Sequence, residues 1–198
     1  MSVRVYVEGG GNNKDTIKRC NEGFTSYVQK LAPANRRPSI VACGGRERAF
    51  DRFNTAVQNA QAGDTFVLLV DSEGPVNAVS PSEHLHARNG WNFPPLGSHK
   101  VFLMVQAMEA WFLADREALA TFYDGGFLAN SLPNNPNIEA IAKDDLEPAM
   151  KRATKQTKTK GEYHKVRHGF PLLALVDPVK VERASAHASV FHEFLRAL

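Results

Sequence analysis

Cysteine is almost missing from this chain. Cys20 and Cys43 are the only two among 198 residues, and they form no CxxC pair and join no Cys/His cluster. That excludes a disulfide framework and a four-ligand structural zinc site, and it fits a reducing compartment. Long hydrophobic runs are also lacking. No stretch approaches the ~20 apolar residues of a membrane span, and the opening MSVRVYVEGGG has no basic segment followed by an apolar one. The expectation is a cytoplasmic protein with no membrane partner. Low-complexity tracts are absent too, so nothing in the composition argues for disorder.

What is present describes an ordinary globular chain, with 43% hydrophobic and 23% charged residues. Its length suits one substantial domain with an appendage. The formal net charge of +3 is small, but its distribution is uneven.

Val3 to Val7 is a β-branched and aromatic run that empties into Glu8-Gly9-Gly10-Gly11, as a buried strand does at a glycine turn. From Asp15 to Leu31, apolar residues recur at spacings of three and four, which predicts an amphipathic helix closed before Pro33. Ser39 to Cys43 reads as a second strand and Arg46 to Ala60 as a second helix. Thr65 to Val70 is nearly continuous apolar sequence, the mark of a strand covered on both faces, and it ends in Asp71-Ser72-Glu73-Gly74. Residues 74–99 read as a long loop or lid with a helical turn near Ser82 to Arg88. Val101 to Val105 is a fourth strand, followed by a helix from Met108 to Leu119. This alternation predicts an α/β fold, a mainly parallel sheet with helices on both faces. The expected division is an α/β domain over residues 1–123 and a basic helical extension over 124–198, with helices near Asp144 to Lys155 and His187 to Leu195.

Glu8, Asp71 and Glu73 all fall just past the carboxyl ends of predicted buried strands, where open parallel sheets place their ligand sites. Asp71 and Glu73, two residues apart, face one crevice if the chain stays extended there. Three hard oxygen donors converging in this way suit Mg²⁺ or Mn²⁺. Taken singly, an Asp at a strand end is also a common turn or capping residue.

VYVEGGG followed by a helix, and later VLLVDSEGP, resemble the Glu motif and the acidic-x-acidic motif of the Toprim superfamily, to which topoisomerases, primases and overcoming-lysogeny-type nucleases belong. The resemblance implies that Glu8 is a metal ligand or general acid/base and that Asp71 and Glu73 hold the metal. Glu73 departs from the usual Asp by one methylene. GFTSYV, CGGRERAF, QAMEAWFLAD and KGEYHKVRH together resemble an uncharacterised Toprim-like family of small prokaryotic proteins, a domain of unknown function often encoded beside ABC-type ATPases in suspected phage-defence loci.

Other residues admit two readings. The turn at Gly9 and Gly10, followed by a helix, is either a phosphate cradle or a plain tight turn, and it carries no P-loop signature. Arg46 is a phosphate contact or an exposed helix-start arginine. Glu109 is a fourth metal carboxylate or water-activating base, or it is a glutamate complementing a helix dipole; Asp115 ranks below it. Lys151, Arg152, Lys155, Lys158, Lys160, Lys165 and Arg167 face a single acid, Glu162, within 17 residues. Such a strip is a backbone-binding surface for DNA or RNA or else a solvated face. Within KGEYHKVRH, Lys160 and His168 are the candidates for phosphate contact or transition-state stabilisation. His84 and His86 read as lid residues.

The function expected from these residues is a Mg²⁺- or Mn²⁺-dependent nuclease with Glu8, Glu109, Lys160 and His168 in catalysis, nucleic acid as substrate and an ABC-type ATPase as partner. The alternative is a non-catalytic nucleic-acid- or nucleotide-binding regulatory subunit of an ATPase complex. A phospho-accepting receiver fits less well, because Glu73 and the long loop interrupt the regular alternation.

Overall fold

The computed structural model describes residues 2–95, 97 and 99–198. Four strands, β1 (Ser2–Val7), β2 (Ser39–Ala42), β3 (Asp64–Asp71) and β4 (His99–Met104), form an all-parallel sheet in the order β2-β1-β3-β4. The register sets Val7 beside Ala42 and Leu69, and Asp71 beside Met104, so all four strands end on one edge.

Side chains alternate across this sheet with the strand period of two and feed two cores. Val5, Val7, Ile40, Ala42, Val67, Leu69, Phe102 and Met104 point to one side. There they meet α1 (Lys14–Val28), α4 (Met108–Ala114), α6 (Lys143–Thr154), α7 (Lys165–Leu175) and α9 (Ala186–Arg196). Tyr6, Phe66, Leu68, Val70 and Leu103 point the other way, against Ala49 and Phe53 of α2 (Arg46–Gln58), Leu85 of α3 (Pro81–Asn89) and Trp91. Two further helices, α5 (Arg116–Tyr123) and α8 (Pro178–Ala184), and two 3₁₀ turns, Ala129–Ser131 and Ile138–Ala140, complete the described elements. None of the helices is long and apolar enough to cross a membrane.

Three segments differ from their sequence reading. The helical turn expected near Ser82 to Arg88 is a nine-residue helix, α3, which Ser80 caps, Pro81 opens and Gly90 closes in the left-handed conformation. The single helix expected from Met108 to Leu119 is two. Asp115 leaves helical geometry, accepts the Ala118 amide at 3.2 Å to cap α5, and binds the Asp177 amide at 3.0 Å and Lys180 at 2.7 Å. The basic segment hides α7, whose Gly169 and Pro171 argue locally against a helix. Packing overrides that preference. Gly23 of α1 lies so close to α7 that a Cβ there would stand 2.7 Å from the Phe170 carbonyl oxygen, and Phe170, Leu172 and Leu173 are buried.

The apolar cluster is continuous between the first 123 residues and the last 75. Phe24, Trp111 and Met104 share it with Leu146, Phe170 and Leu195.

Candidate functional site

Glu8, Asp71 and Glu73 converge at the carboxyl edge of the sheet, each offering one carboxylate oxygen within 4.8 Å of the others. They line a cavity of about 670 Å³ together with Gly9 to Asn13, Thr16, Gly44, Arg46, Met104, Met108, Lys165, Val166 and Phe170.

Each acid is held by a different device. The Glu8 carboxylate accepts the Asp71 amide at 2.8 Å and Arg46 Nη1 at 3.2 Å, which ties the end of β1 to the end of β3. Asp71 is buried, and its Oδ1 accepts the Met108 amide at 2.8 Å, which fixes the start of α4. Glu73 does not continue the extended strand, as its spacing from Asp71 suggested. Its φ is 64°, in the left-handed region, and Gln106, two residues past the end of β4, answers at φ 66°. The Glu73 amide bonds the Gln106 carbonyl at 3.1 Å, and Ser72 Oγ accepts the Gln106 amide at 2.7 Å. This paired turn aims the Glu73 carboxylate at Lys143 from the N-terminus of α6.

The glycine turn is shaped by contact. Gly9 and Gly44 bond each other's backbones at 2.7 and 3.0 Å, and a Cβ on Gly10 (φ 85°) would stand 2.7 Å from the Ile17 Cα. No other residue lets the turn lie this close to α1.

Arg46 reaches Glu8, the Asp71 carbonyl at 2.6 Å and Asn89 at 3.1 Å, with its guanidinium 5.0 Å over the Trp91 ring. Trp91 is in turn stacked on Phe50 and bonded to Glu47 at 2.9 Å. The segment that reads as a lid therefore clamps an arginine of the site. His84, within it, donates to the Ser72 carbonyl at 2.8 Å and is buried; His86 bonds the Trp91 carbonyl.

Glu109 is buried at the start of α4, accepts from the Tyr163 hydroxyl at 3.1 Å and pairs with Lys165 at 3.1 Å. Lys165 arrives from the first turn of α7. Among the candidates in the basic strip, it lines the cavity and the others do not. Lys151 pairs with Glu147, Lys155 and Lys158 are exposed, and Lys160 lies over the Phe122 ring at 4.9 Å. His168 is buried, with Nδ1 accepting from the Tyr123 hydroxyl at 3.0 Å and the His164 amide at 3.2 Å. Its role there is internal packing, and burial lowers its pKa. Sequence reasoning missed Lys143 and Tyr163 as neighbours of the site, since only the docking of the C-terminal helices brings them to it.

Electrostatically the cavity is divided. Burial, then Glu8, then Glu109 push the Asp71 carboxyl well above its ordinary range. Burial works against the Glu73 charge as well, but Lys143, Arg46 and Arg88 outweigh it and hold that group low. For Lys165, burial is overcome by Glu109, Asp71 and Glu8, and its ammonium is strengthened. The donor set is of the kind that could hold a hard divalent cation: three carboxylate oxygens within 4.8 Å of one another, of which Asp71 carries an unfavourable charge that a cation would relieve.

The fold and cavity define an α/β protein with an acidic site at the carboxyl edge of a parallel sheet. The chain belongs to the family described as domain of unknown function (DUF4276), whose model matches residues 7–196. No curated protein and no solved structure matches it.

Proposed function

We propose that the chain is a Mg²⁺- or Mn²⁺-dependent phosphodiester hydrolase of Toprim type acting on nucleic acid. The observation that carries this reading is the convergence of Glu8, Asp71 and Glu73 in one cavity that also holds Arg46 and Lys165. Carboxylates to hold a divalent ion and cations to hold a phosphate are the two halves of such a site. A bound ion supplies Lewis-acid polarisation of a phosphoryl oxygen and activates water.

The chain's own residues do the rest. Glu8, Asp71 and Glu73 hold the ion. Arg46, oriented by Asn89 and Trp91, brings a guanidinium charge to one wall for a phosphate oxygen, while Lys165 also offers a point charge to the cavity. The Gly9–Gly11 turn at the head of α1 lets a phosphate approach backbone amides. Lys151, Lys155 and Lys158 lie outside the cavity and serve the nucleic-acid backbone beyond the cleaved bond.

The test is cleavage of single- and double-stranded DNA and RNA in Mn²⁺ or Mg²⁺, by the protein alone and with the ABC-type ATPase expected as its partner. Wild type should cut, while EDTA or Asp71→Ala should stop it. Intact substrates under all these conditions would refute the reading, and tight Mn²⁺-dependent binding without turnover would replace it with a binding subunit.

A further inference from the structure

Three carboxylates line the cavity and a fourth, Glu109, is held by the cavity-lining Lys165; three of these four already have a cation in contact. Arg46 pairs with Glu8, Lys143 with Glu73 and Lys165 with Glu109. Among the described residues, the Asp71 carboxylate has none, because Arg46 reaches only the backbone carbonyl of Asp71; the one hydrogen bond of that carboxylate is from the Met108 amide. The site therefore carries one uncompensated negative charge in its directly paired groups. One divalent ion together with one phosphodiester anion brings that total to neutrality. A second divalent ion would leave it two charges positive, in a setting where uncompensated charge is costly.

Lys165 is the member of these pairs that contacts the acid outside the trio. That acid, Glu109, is buried, and the lysine it holds lines the cavity together with Asp71 and Met108. Both Glu109 oxygens are engaged: Oε1 by the Tyr163 hydroxyl at 3.1 Å and Lys165 at 3.1 Å, and Oε2 by Lys165 at 3.4 Å. The Lys165 side chain is half exposed and lines the cavity, with its ammonium on Glu109.

We infer that the Lys165 ammonium is the second cation of this site, filling the place beside Glu109 and Asp71, so that the protein loads a single divalent ion. This rests on the metal-dependent reading above. It assigns Glu109 a different part from the one its position suggests in sequence. Glu109 positions a lysine and leaves the ion to the trio, and Lys165 meets the charge that develops on the scissile phosphate.

Manganese titration of the metal-free full chain, followed by calorimetry and by loss of the free-ion EPR signal, counts bound ions without any turnover. Wild type and Lys165→Arg should bind one ion. Lys165→Met, which frees Glu109, should bind two, and the Lys165→Met/Glu109→Gln double variant should return to one. Circular dichroism of each variant checks that it is folded. Two ions in wild type, or one in a folded Lys165→Met, would overturn the single-ion assignment and leave metal-dependent hydrolysis standing. Absence of any bound ion in wild type would overturn both.

Discussion

Asp71→Asn should stabilise the metal-free protein while removing its function. Asparagine keeps an oxygen for the Met108 amide and nearly the same volume, so the cap on α4 survives. What disappears is a carboxylate charge disfavoured by burial and by the neighbouring Glu8 and Glu109. The folded-state pKa lies above the unfolded value of about 3.9. The stability linked to this proton is therefore complete below that value and drains away as pH rises through the folded pKa. The neutral side chain should thus be the more stable one at about pH 8, and for a chain of this size each kcal/mol gained raises Tm by about 2–4 °C. Differential scanning calorimetry in EDTA across pH measures it: wild type should lose Tm relative to Asp71→Asn as pH rises, and Mn²⁺ should raise the wild-type Tm alone. A folded Asp71→Asn that melts below wild type in EDTA at the upper end of that range would show that the carboxylate is a structural cap and refute the reasoning.

Two further predictions address the scaffold. Gly23→Ala drives a Cβ against the Phe170 carbonyl oxygen, where backbone must move, so it should destabilise by about 1–3 kcal/mol in urea unfolding and weaken the docking of α7 and with it the seating of Lys165. His192 is buried against Tyr27, and burial lowers its pKa to about 4. Its contribution is present above the unfolded value of about 6.5 and lost as pH falls towards the folded value, a loss of roughly 3 kcal/mol that His192→Phe should flatten in the pH dependence of urea unfolding.

The sheet and its edge were legible because β3 is too apolar for anything but a strand covered on both sides, and because Glu8 follows β1 directly and Asp71 closes β3. Position along the chain was enough to bring them together. It was not enough for Glu73, whose left-handed backbone is held by Gln106 just past the neighbouring strand, a partner 33 residues away with no local signal. The basic strip failed to separate into its parts for a related reason. Charge density along a sequence does not say which lysine meets a carboxylate, and Lys165 differs from Lys155 and Lys158 only in that α7 packs against α1 through Gly23. Gly169 and Pro171 conceal that helix from any reading of propensity, while the burial that forms it is tertiary.

The same tertiary dependence explains where strain is placed. Glu73 and Gln106 both occupy a backbone region that side chains enter at a cost of about 1–2 kcal/mol each, and Glu73 lines the cavity. The Glu73 amide to the Gln106 carbonyl, the Gln106 backbone amide to Ser72 Oγ, the Gln106 side-chain amide to the Glu139 carbonyl at 3.0 Å, and the Lys143 amide to Gln106 Oε1 at 3.2 Å hold the pair in place. Gln106 thus links the strand edge to the helical half of the chain, and Lys143, on the same helix it anchors, meets the Glu73 carboxylate. A glycine at either position would relax the backbone more cheaply. A glycine at 73 would also leave Lys143 without its carboxylate and Asp71 without one of its two partner acids, so local strain is retained where it delivers a charge to the site.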